Sequence, residues 1–258
     1  MKRIFLSIAV LAGLFCYIAC SPENPIVFNQ KTGIYFGAAA DSLSYSFAKY
    51  PKRTTDTIRV PVNVVGNPVA TDKAFTLEAV TGPGLTAIEG KHYKLLNPYT
   101  MPAGQLTTSA AIVIYRTPDM DTSVLPFRLK LNGNENFETA ITAKSTYLVK
   151  LAYLQKPANW GAYNEQVYWA GNKANFGSWT RTKYKLILDA LYNPLQDTTV
   201  TEFPFGTGSN AQPVGALYLQ TVKNYIRTNY PANYGGTGAS LPDPDQGNQL
   251  IQVGSANY

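Results

Sequence analysis

Between Thr57 and Val64, apolar and polar side chains alternate without a break. Successive side chains of a β-strand point to opposite faces of a sheet, so this period of two predicts a strand with one buried face. That face carries the branched side chains of Ile58, Val60, Val62 and Val64. Proline has no backbone N–H to donate, so Pro61 on the opposite face predicts an edge position for the strand.

Similar short alternating or apolar segments, separated by turn residues, fill the rest of residues 30–155. They are Ile34–Phe36, Phe75–Ala79, a segment near Tyr93, Ala110–Tyr115, Phe127–Leu131 and Tyr147–Tyr153. About seven short strands with frequent turns are typical of antiparallel sandwiches. We therefore predict a mainly β protein with an immunoglobulin-like antiparallel sandwich over residues 30–155. A different β architecture with the same strands is the alternative.

A helical period replaces the strand period after Pro157. Apolar residues at i, i+3, i+4 and i+7 predict one helix that stops near Asn193–Pro194, and the same spacing predicts a second over roughly 214–230. The two stripes are Tyr184, Ile187, Leu188 and Leu191, then Leu219, Val222 and Ile226. Leu250–Val253 indicates a final strand. We predict a small, aromatic-rich α+β domain over residues 156–258.

The start of the chain has the pattern of a secretory signal peptide. Lys2 and Arg3 precede an apolar run from Ile4 to Ile18, which is too short and wrongly flanked for a membrane-spanning helix. Ala19 then precedes Cys20, and a cysteine after a small residue is where bacterial lipoproteins are cleaved and acylated on sulfur. This predicts a signal peptide over 1–19, lipidation of Cys20 and a tether over 20–29. The alternative is an ordinary signal peptide with Cys20 incidental.

Cysteine and histidine usage narrows the chemistry that the chain can perform. Cys16 would leave with the signal peptide and Cys20 would be acylated, so no thiol remains for a disulfide, a metal site or a nucleophile. One histidine, His92, excludes multi-histidine metal sites, and the spacing shows it no partner carboxylate. We expect a surface or edge-strand histidine, with no catalytic residue, metal or cofactor.

Charge excludes one class of partner, and turn chemistry explains the paired acids. The net charge is +6, but the positive residues are scattered, so nucleic acid is excluded as a partner. Two acidic pairs, Asp119 with Asp121 and Asp243 with Asp245, stand at i, i+2. Glycoside hydrolysis needs two carboxylates facing each other across a substrate, so these pairs indicate turns instead.

Aromatic side chains of the second domain are the candidates for contact with a ligand or partner. Aromatic faces stack on sugar rings, and Trp and Tyr are enriched in interface hot spots. The same residues can form the core of a small domain without disulfides, because aromatics bury the most area per residue. The pattern favours a core first, a protein contact second and a glycan platform third. The candidates are Trp160, Tyr163, Tyr168, Trp169 and Trp179.

Four segments carry a resemblance to a known family: Ala87–Tyr93, Met101–Gln105, Pro126–Leu131 and Trp179–Ile187. With the cysteine motif, they resemble Bacteroidetes lipoproteins that carry the DUF4843 domain. The first three are also similar to Calx-β and related immunoglobulin-like modules, which implies a Calx-β-like sandwich. Calx-β modules bind calcium through clustered acids, but this chain has His92 where that pattern often has Asp. No functional residues are established for the family, so none is carried over.

The resemblance implies a non-enzymatic surface lipoprotein of the outer membrane, anchored through lipid on Cys20. Such proteins are similar to those encoded beside SusC/SusD-type importers of glycans or peptides. We therefore expect an accessory or docking component whose partners are the importer and its sibling lipoproteins, with a glycan or peptide as ligand. The alternative is a free-standing glycan-binding module that uses the aromatic residues of the second domain. Either face of the outer membrane is compatible with this reading.

Overall fold

A computed structural model describes residues 31–157, 160, 176–201 and 213–254. The predicted signal peptide 1–19, the lipidation site Cys20, the tether 20–29 and the candidates Tyr163, Tyr168 and Trp169 lie outside these residues. Thirteen strands are present in the described part. They are β1 Thr32–Phe36, β2 Ser42–Ser46, β3 Thr55–Val65, β4 Lys73–Phe75, β5 Leu77–Val80, β6 Tyr93–Leu95, β7 Tyr99–Met101, β8 Thr107–Tyr115, β9 Leu125–Leu131, β10 Phe137–Thr139, β11 Thr146–Ala152, β12 Pro242–Asp243 and β13 Gln249–Leu250.

Two larger sheets dominate these strands, and both are mixed. The five-stranded sheet has the order β10-β1-β3-β8-β6, and the four-stranded sheet has the order β2-β11-β9-β5. The pairs β1/β10 and β2/β11 are parallel, and every other described pair is antiparallel. The prediction of a mainly β protein is confirmed, and the structure is a curled half-barrel of mixed sheets. The expectation of wholly antiparallel sheets is wrong. A hairpin connection forces two strands to pair antiparallel, but no hairpin joins β1 to β10 or β2 to β11, so these pairs can be parallel.

The predicted position of Pro61 is also wrong, because β3 lies between β1 and β8. Gly37 N–H donates to the Pro61 carbonyl at 2.9 Å, so the Pro61 nitrogen faces the chain just beyond the end of β1 at Phe36. The paired register of β1 with β3 begins at Val62. The missing donor therefore falls outside that ladder, and a central strand tolerates the proline.

The alternating face of β3 is buried as predicted, and it joins a core shared by both sheets. Ile58 and Val64 are 5% and 7% exposed, and the two valines between them are fully buried. Aromatic pairs connect the sheets across this core. The Tyr93 and Phe127 rings stack with centroids 3.9 Å apart, and Phe36 meets Tyr147 at 5.6 Å. Each such pair contributes about 0.5–1.5 kcal/mol beyond the area that it buries.

Both predicted helices are present, and they are labelled α1, Arg181–Ala190, and α2, Pro213–Asn229. Thr180 caps α1 by accepting a hydrogen bond from Lys183 N–H at 3.2 Å, which satisfies one of the free donors of the first turn. Val222 and Ile226 of α2 are fully buried. None of the described helices is long and apolar enough to cross a membrane.

The end of the chain differs from the predicted strand over Leu250–Val253. The observed strand β13 covers only Gln249–Leu250 and pairs with β12. Ile251 and Val253 are nevertheless buried, because they join the same cluster as the sheets and α1. Their apolar character reflects contact with this core and not a longer strand. The predicted domain boundary at residue 156 stays a prediction.

Candidate functional site

A cavity of about 170 Å³ lies between the β1–β2 connection and the start of β11. The buried rings of Phe36 and Tyr147 line it, together with four alanines. Small side chains in the segment Gly37–Asp41 leave this space open, since larger ones would fill it. Asp41 and Lys144 are exposed members of the lining, so one acidic and one basic group border an apolar interior. We call this the Phe36–Tyr147 cavity.

Hydroxyl groups add hydrogen-bonding capacity to the Phe36–Tyr147 cavity. Thr146 and Tyr147 both line it, and neither hydroxyl has a hydrogen-bond partner among the described residues. Burial, and secondarily the negative charge of Asp41, raises the pKa of the Tyr147 hydroxyl, which keeps it a neutral donor and acceptor. The cavity volume is smaller than that of pockets for drug-sized ligands, which measure at least about 300 Å³. The cavity therefore suits one small ring or side chain.

Of the two expected positions for His92, the surface is wrong, and the residue is buried directly before the outer strand β6. It is 1% exposed, its Nδ1 accepts the Ile88 N–H at 2.7 Å, and its Nε2 lies 3.1 Å from Asp119 Oδ2. Gly90 adopts a positive φ of 82°, which permits the tight turn that folds residues 88–92 back on themselves. The fold thus supplies the carboxylate that the sequence spacing did not reveal.

The hydrogen bonds around His92 indicate a structural role, in which the imidazole connects the turn at Ile88 to Asp119. Because Nδ1 accepts a backbone N–H, the ring proton of the neutral imidazole lies on Nε2 and is donated to Asp119. Asp119 also accepts from Lys91 Nζ at 2.6 Å and from the Thr117 hydroxyl at 2.5 Å. These bonds, with Lys91 the strongest, hold the pKa of the Asp119 carboxyl well below its usual range. Both ring nitrogens are engaged, so the imidazole has no free lone pair to act as a base.

A second polar cluster, not predicted from the sequence, joins the sheets to the segment after α1. Arg53 Nε donates to Asp197 at 2.6 Å, and its guanidinium also donates to Asp56 at 3.0 Å. The Tyr45 hydroxyl donates to Asp56, and the Tyr192 hydroxyl donates to Asp197 at 3.0 Å. We call these five residues the Arg53 cluster. Its members lie up to 152 positions apart in the sequence, so no local pattern indicates it.

Two of the predicted contact residues, Trp160 and Trp179, lie against the ring of Tyr184, with ring centroids 6.0 and 6.4 Å away. Trp160 is 5% exposed, stacks on Phe176 at 5.8 Å and donates its Nε1–H to the Gly177 carbonyl at 3.2 Å. Trp179 is half-buried, and its Nε1 has no hydrogen-bond partner within the described part of the chain. Their contact role stays a prediction, as it does for Tyr163, Tyr168 and Trp169. The described residues contain no cluster of acids, histidines or cysteines that could hold a metal ion.

Several solved structures are similar to this chain over about half of its length. A two-domain protein with unknown function from Bacteroides fragilis is 15% identical, with 48% of this chain and 46% of that chain covered and a TM-score of 0.37. A protein of unknown function from Bacteroides ovatus is also 15% identical, with 49% and 46% covered and a TM-score of 0.37. A third, described as "a putative carbohydrate binding protein" from Bacteroides ovatus, is 7% identical, with 46% and 36% covered and a TM-score of 0.36.

The chain thus spans less than half of the length of each of these structures. No curated protein matches the chain. Its sequence from residue 26 to residue 192 matches the domain of unknown function DUF4843. This stretch is well over half of the 258 residues and includes the Phe36–Tyr147 cavity and every member of the Arg53 cluster except Asp197, so this protein belongs to the DUF4843 family.

Proposed function

We propose that this protein is an accessory lipoprotein of the outer membrane that docks on a SusC/SusD-type importer of glycans or peptides. Lipid on Cys20 holds it at the membrane. The apolar run, the small residue before Cys20 and membership of the DUF4843 family support this proposal. The observation that carries it is the short stretch of chain between the lipidation site and the first strand.

Eleven residues separate Cys20 from Thr32, where β1 begins. Even a fully extended chain of this length reaches only about 40 Å, so a lipidated Cys20 confines the folded part to a layer next to the membrane. Confinement on the same surface as a partner makes each later contact effectively intramolecular, and a weak interface then suffices for docking. A protein free in solution would need a much larger interface for the same occupancy.

We also propose that the two large sheets form an immunoglobulin-like, Calx-β-like sandwich, followed by a small α+β domain. The ring pairs Tyr93–Phe127 and Phe36–Tyr147 support this arrangement, because each joins a strand of one sheet to a strand of the other. The parallel edge pairs are a departure from a purely antiparallel sandwich.

The test of the docking proposal is recovery of the tagged, full-length protein from its native membrane in mild detergent. We expect a large β-barrel importer and its lipoproteins to come with it in stoichiometric amounts, as identified by mass spectrometry. Recovery of the protein alone, from membranes shown to contain the importer, would overturn the proposal of a stable subunit.

Glycan binding is the second candidate function, and the Phe36–Tyr147 cavity favours it. An apolar floor of aromatic rings and alanine methyl groups suits the C–H face of one sugar ring. Asp41 and the hydroxyls of Thr146 and Tyr147 suit the hydroxyl groups at its edge. Trp160 is a poorer platform, because it is buried against Phe176 and Tyr184. The cavity therefore replaces the C-terminal aromatics as the preferred location for a glycan.

Filling the cavity tests this second function. Ala143→Leu replaces a methyl group by an isobutyl group at an exposed position of the lining, and we expect it to abolish oligosaccharide binding measured by calorimetry. Ala103→Leu is the matched control, since Ala103 is an exposed alanine in a turn away from the cavity and its variant should bind as the native protein does. Equal binding by all three proteins would exclude the cavity as the glycan site. If the Ala143→Leu variant still recovers the importer in mild detergent in the native amount, docking does not depend on glycan binding in the cavity.

A further inference from the structure

Strand β2 leaves one edge of the four-stranded sheet open. It pairs only with β11, in parallel, and Leu148 N–H donates to the Asp41 carbonyl at 3.1 Å. Because backbone groups alternate in direction along a strand, Leu43 and Tyr45 direct theirs towards β11, as Asp41 does. The backbone groups of Ser42, Ser44 and Ser46 therefore point away from the sheet.

The outward backbone groups of Ser42 and Ser44 are not used by the rest of the described chain. The N–H and C=O of Ser42 and Ser44 have no hydrogen-bond partner among the described residues, and Ser44 is exposed. An edge of this kind is a template for pairing with another strand.

The other outer strands of the two large sheets are protected, and β2 is not. β6 and β10 have three residues each and β5 has four, and each carries a charged side chain: Lys94, Glu138 and Glu78 respectively. Short length and edge charges are the devices that prevent edge-to-edge pairing. β2 has five residues, Ser-Leu-Ser-Tyr-Ser, with neither charge nor proline. Among the outer strands of these two sheets, it is the one suited to adding a strand.

We propose that two copies of this protein associate by antiparallel pairing of β2 with β2, with the two-fold axis at Ser44. In this register Ser44 faces its own copy, and Ser42 of each copy faces Ser46 of the other. The Ser46 carbonyl accepts the first hydrogen bond of the 3-10 turn Phe47–Lys49, so the pairing uses both backbone groups of Ser44, the carbonyl of Ser42 and the N–H of Ser46, and forms about four interchain hydrogen bonds. The two four-stranded sheets then become one continuous sheet.

The strand is self-complementary on its core-facing side as well. Leu43 and Tyr45 are half-buried and pack against the core of their own copy. The proposed register places Leu43 of one copy opposite Tyr45 of the other, so each covers the half-exposed apolar flank of its counterpart. Asp41 precedes the strand and the exposed Lys49 follows it, so antiparallel association brings opposite charges towards each other at both ends. A second copy therefore fits this edge better than a strand of unspecified sequence.

Disulfide trapping in the full-length, membrane-bound protein tests the register. Residues that face each other in a hydrogen-bonded antiparallel pair have Cα atoms about 5.5 Å apart, which a disulfide can span. We expect Ser44→Cys to give a covalent dimer under mild oxidation, seen on a non-reducing gel. The native protein gives the background from its own cysteines.

Ser42→Cys is the matched control in the same strand. Ser42 of one copy faces Ser46 of the other, and the other copy's Ser42 lies four residues further along that strand. The two Ser42 residues are therefore about 14 Å apart, which is too far for a disulfide. Ser42→Cys alone should therefore stay monomeric on the gel, and adding Ser46→Cys should restore the covalent dimer. No dimer with Ser44→Cys, equal dimer with Ser42→Cys and Ser44→Cys, or cross-linking of Ser44→Cys to a chain of another mass would each overturn the proposal.

A charge placed on the two-fold axis provides a second test without cysteine chemistry. Ser44→Lys sets two ammonium groups against each other, and we expect light scattering of the detergent-solubilised protein to show loss of the dimer. Ser109→Lys is the control, because Ser109 is an exposed serine of the interior strand β8. Circular dichroism should show both variants folded. A dimer that survives Ser44→Lys would contradict pairing through β2.

Discussion

Two aspartates that are two positions apart, Asp119 and Asp121, illustrate how burial and hydrogen bonding act in opposite directions on one residue type. Asp119 accepts hydrogen bonds from Lys91, Thr117 and His92, and these hold its pKa low. Asp121 accepts no side-chain hydrogen bond from the described residues, and its burial raises its pKa. The first carboxylate stabilises the folded state at neutral pH, and the second opposes it.

Removing the Asp119 carboxylate leaves the buried Nε2–H of His92 without its acceptor. We expect Asp119→Ala to lower the free energy of unfolding at neutral pH by about 1–3 kcal/mol. Because the folded pKa is depressed, the stabilising effect is complete above the ordinary carboxyl pKa of 3.8 and is lost as pH falls towards the folded pKa. Urea denaturation at neutral pH and at about pH 3 should show the difference between variant and native protein shrink with acid.

Asp121→Asn should have the opposite sign. A folded pKa above the unfolded value means that the ionised carboxylate is the costly form, so stability rises as pH falls through the folded pKa. Removing the charge should raise the free energy of unfolding at neutral pH by about 0.5 kcal/mol. The same urea titration measures it, with Asp119→Ala as the counterpart. Loss of stability in both variants would show that local geometry, and not ionisation, governs this turn.

At the scale of elements, periodicity predicted what each segment is but not where it lies. The alternation at Ile58–Val64 and the stripe at Tyr184–Leu191 both depend on one local period, and both elements are present. The place of β3 in its sheet depends on which strands pair with it, and Pro61 was misleading because it faces the chain just beyond the end of β1. Parallel edge pairing was missed for the same reason, since β2 and β11 are about a hundred residues apart.

The candidate sites were harder to predict, because each is assembled from distant segments. The Phe36–Tyr147 cavity depends on small residues before β2 and before β11, and an alanine shows no binding signal by itself. His92 and Asp119 are 27 positions apart, and the pairing of β6 with β8 brings their segments together. Asp119 and His92 were each visible in the sequence, but their proximity was not.

The Arg53 cluster fastens the segment after α1 to the sheets, and Arg53→Met tests its contribution. The change removes the cation between Asp56 and Asp197 and the stack of its guanidinium on Tyr50, where the centroid distance is 4.2 Å. We expect several-fold faster hydrogen exchange in residues 192–199, measured by mass spectrometry, with the core strands unchanged.

Arg59→Met is the matched control for that experiment. Arg59 is an exposed arginine of β3, the strand that follows Arg53, and it has no ion pair among the described residues. It should leave exchange in residues 192–199 at the native rate. If both variants accelerate exchange equally, loss of a positive charge, and not loss of the cluster, would be the cause.

At the scale of the whole molecule, the proposed lipid anchor and the proposed pairing through β2 would support each other. Proteins confined to one membrane meet at high effective concentration, so the short β2 edge can associate there at expression levels that would leave it monomeric in solution. The proposed association would in turn double the number of acyl chains that hold each assembly, and a second lipid signal converts reversible membrane binding into stable anchoring. Both the proposed docking and the proposed pairing through β2 would thus depend on the proposed anchor.

Acylation of Cys20 is the last prediction, and the chain supplies its own control. Cys20→Ala removes the only cysteine that the predicted cleavage leaves on the mature chain, so we expect metabolic labelling with a fatty-acid analogue to disappear. Cys16→Ala removes a sulfur that leaves with the signal peptide, and its labelling should equal that of the native protein. Labelling is preferable to fractionation, because an uncleaved apolar segment would also hold the protein on the membrane. A label that persists in Cys20→Ala would contradict the anchor, and with it the confinement that makes weak docking sufficient.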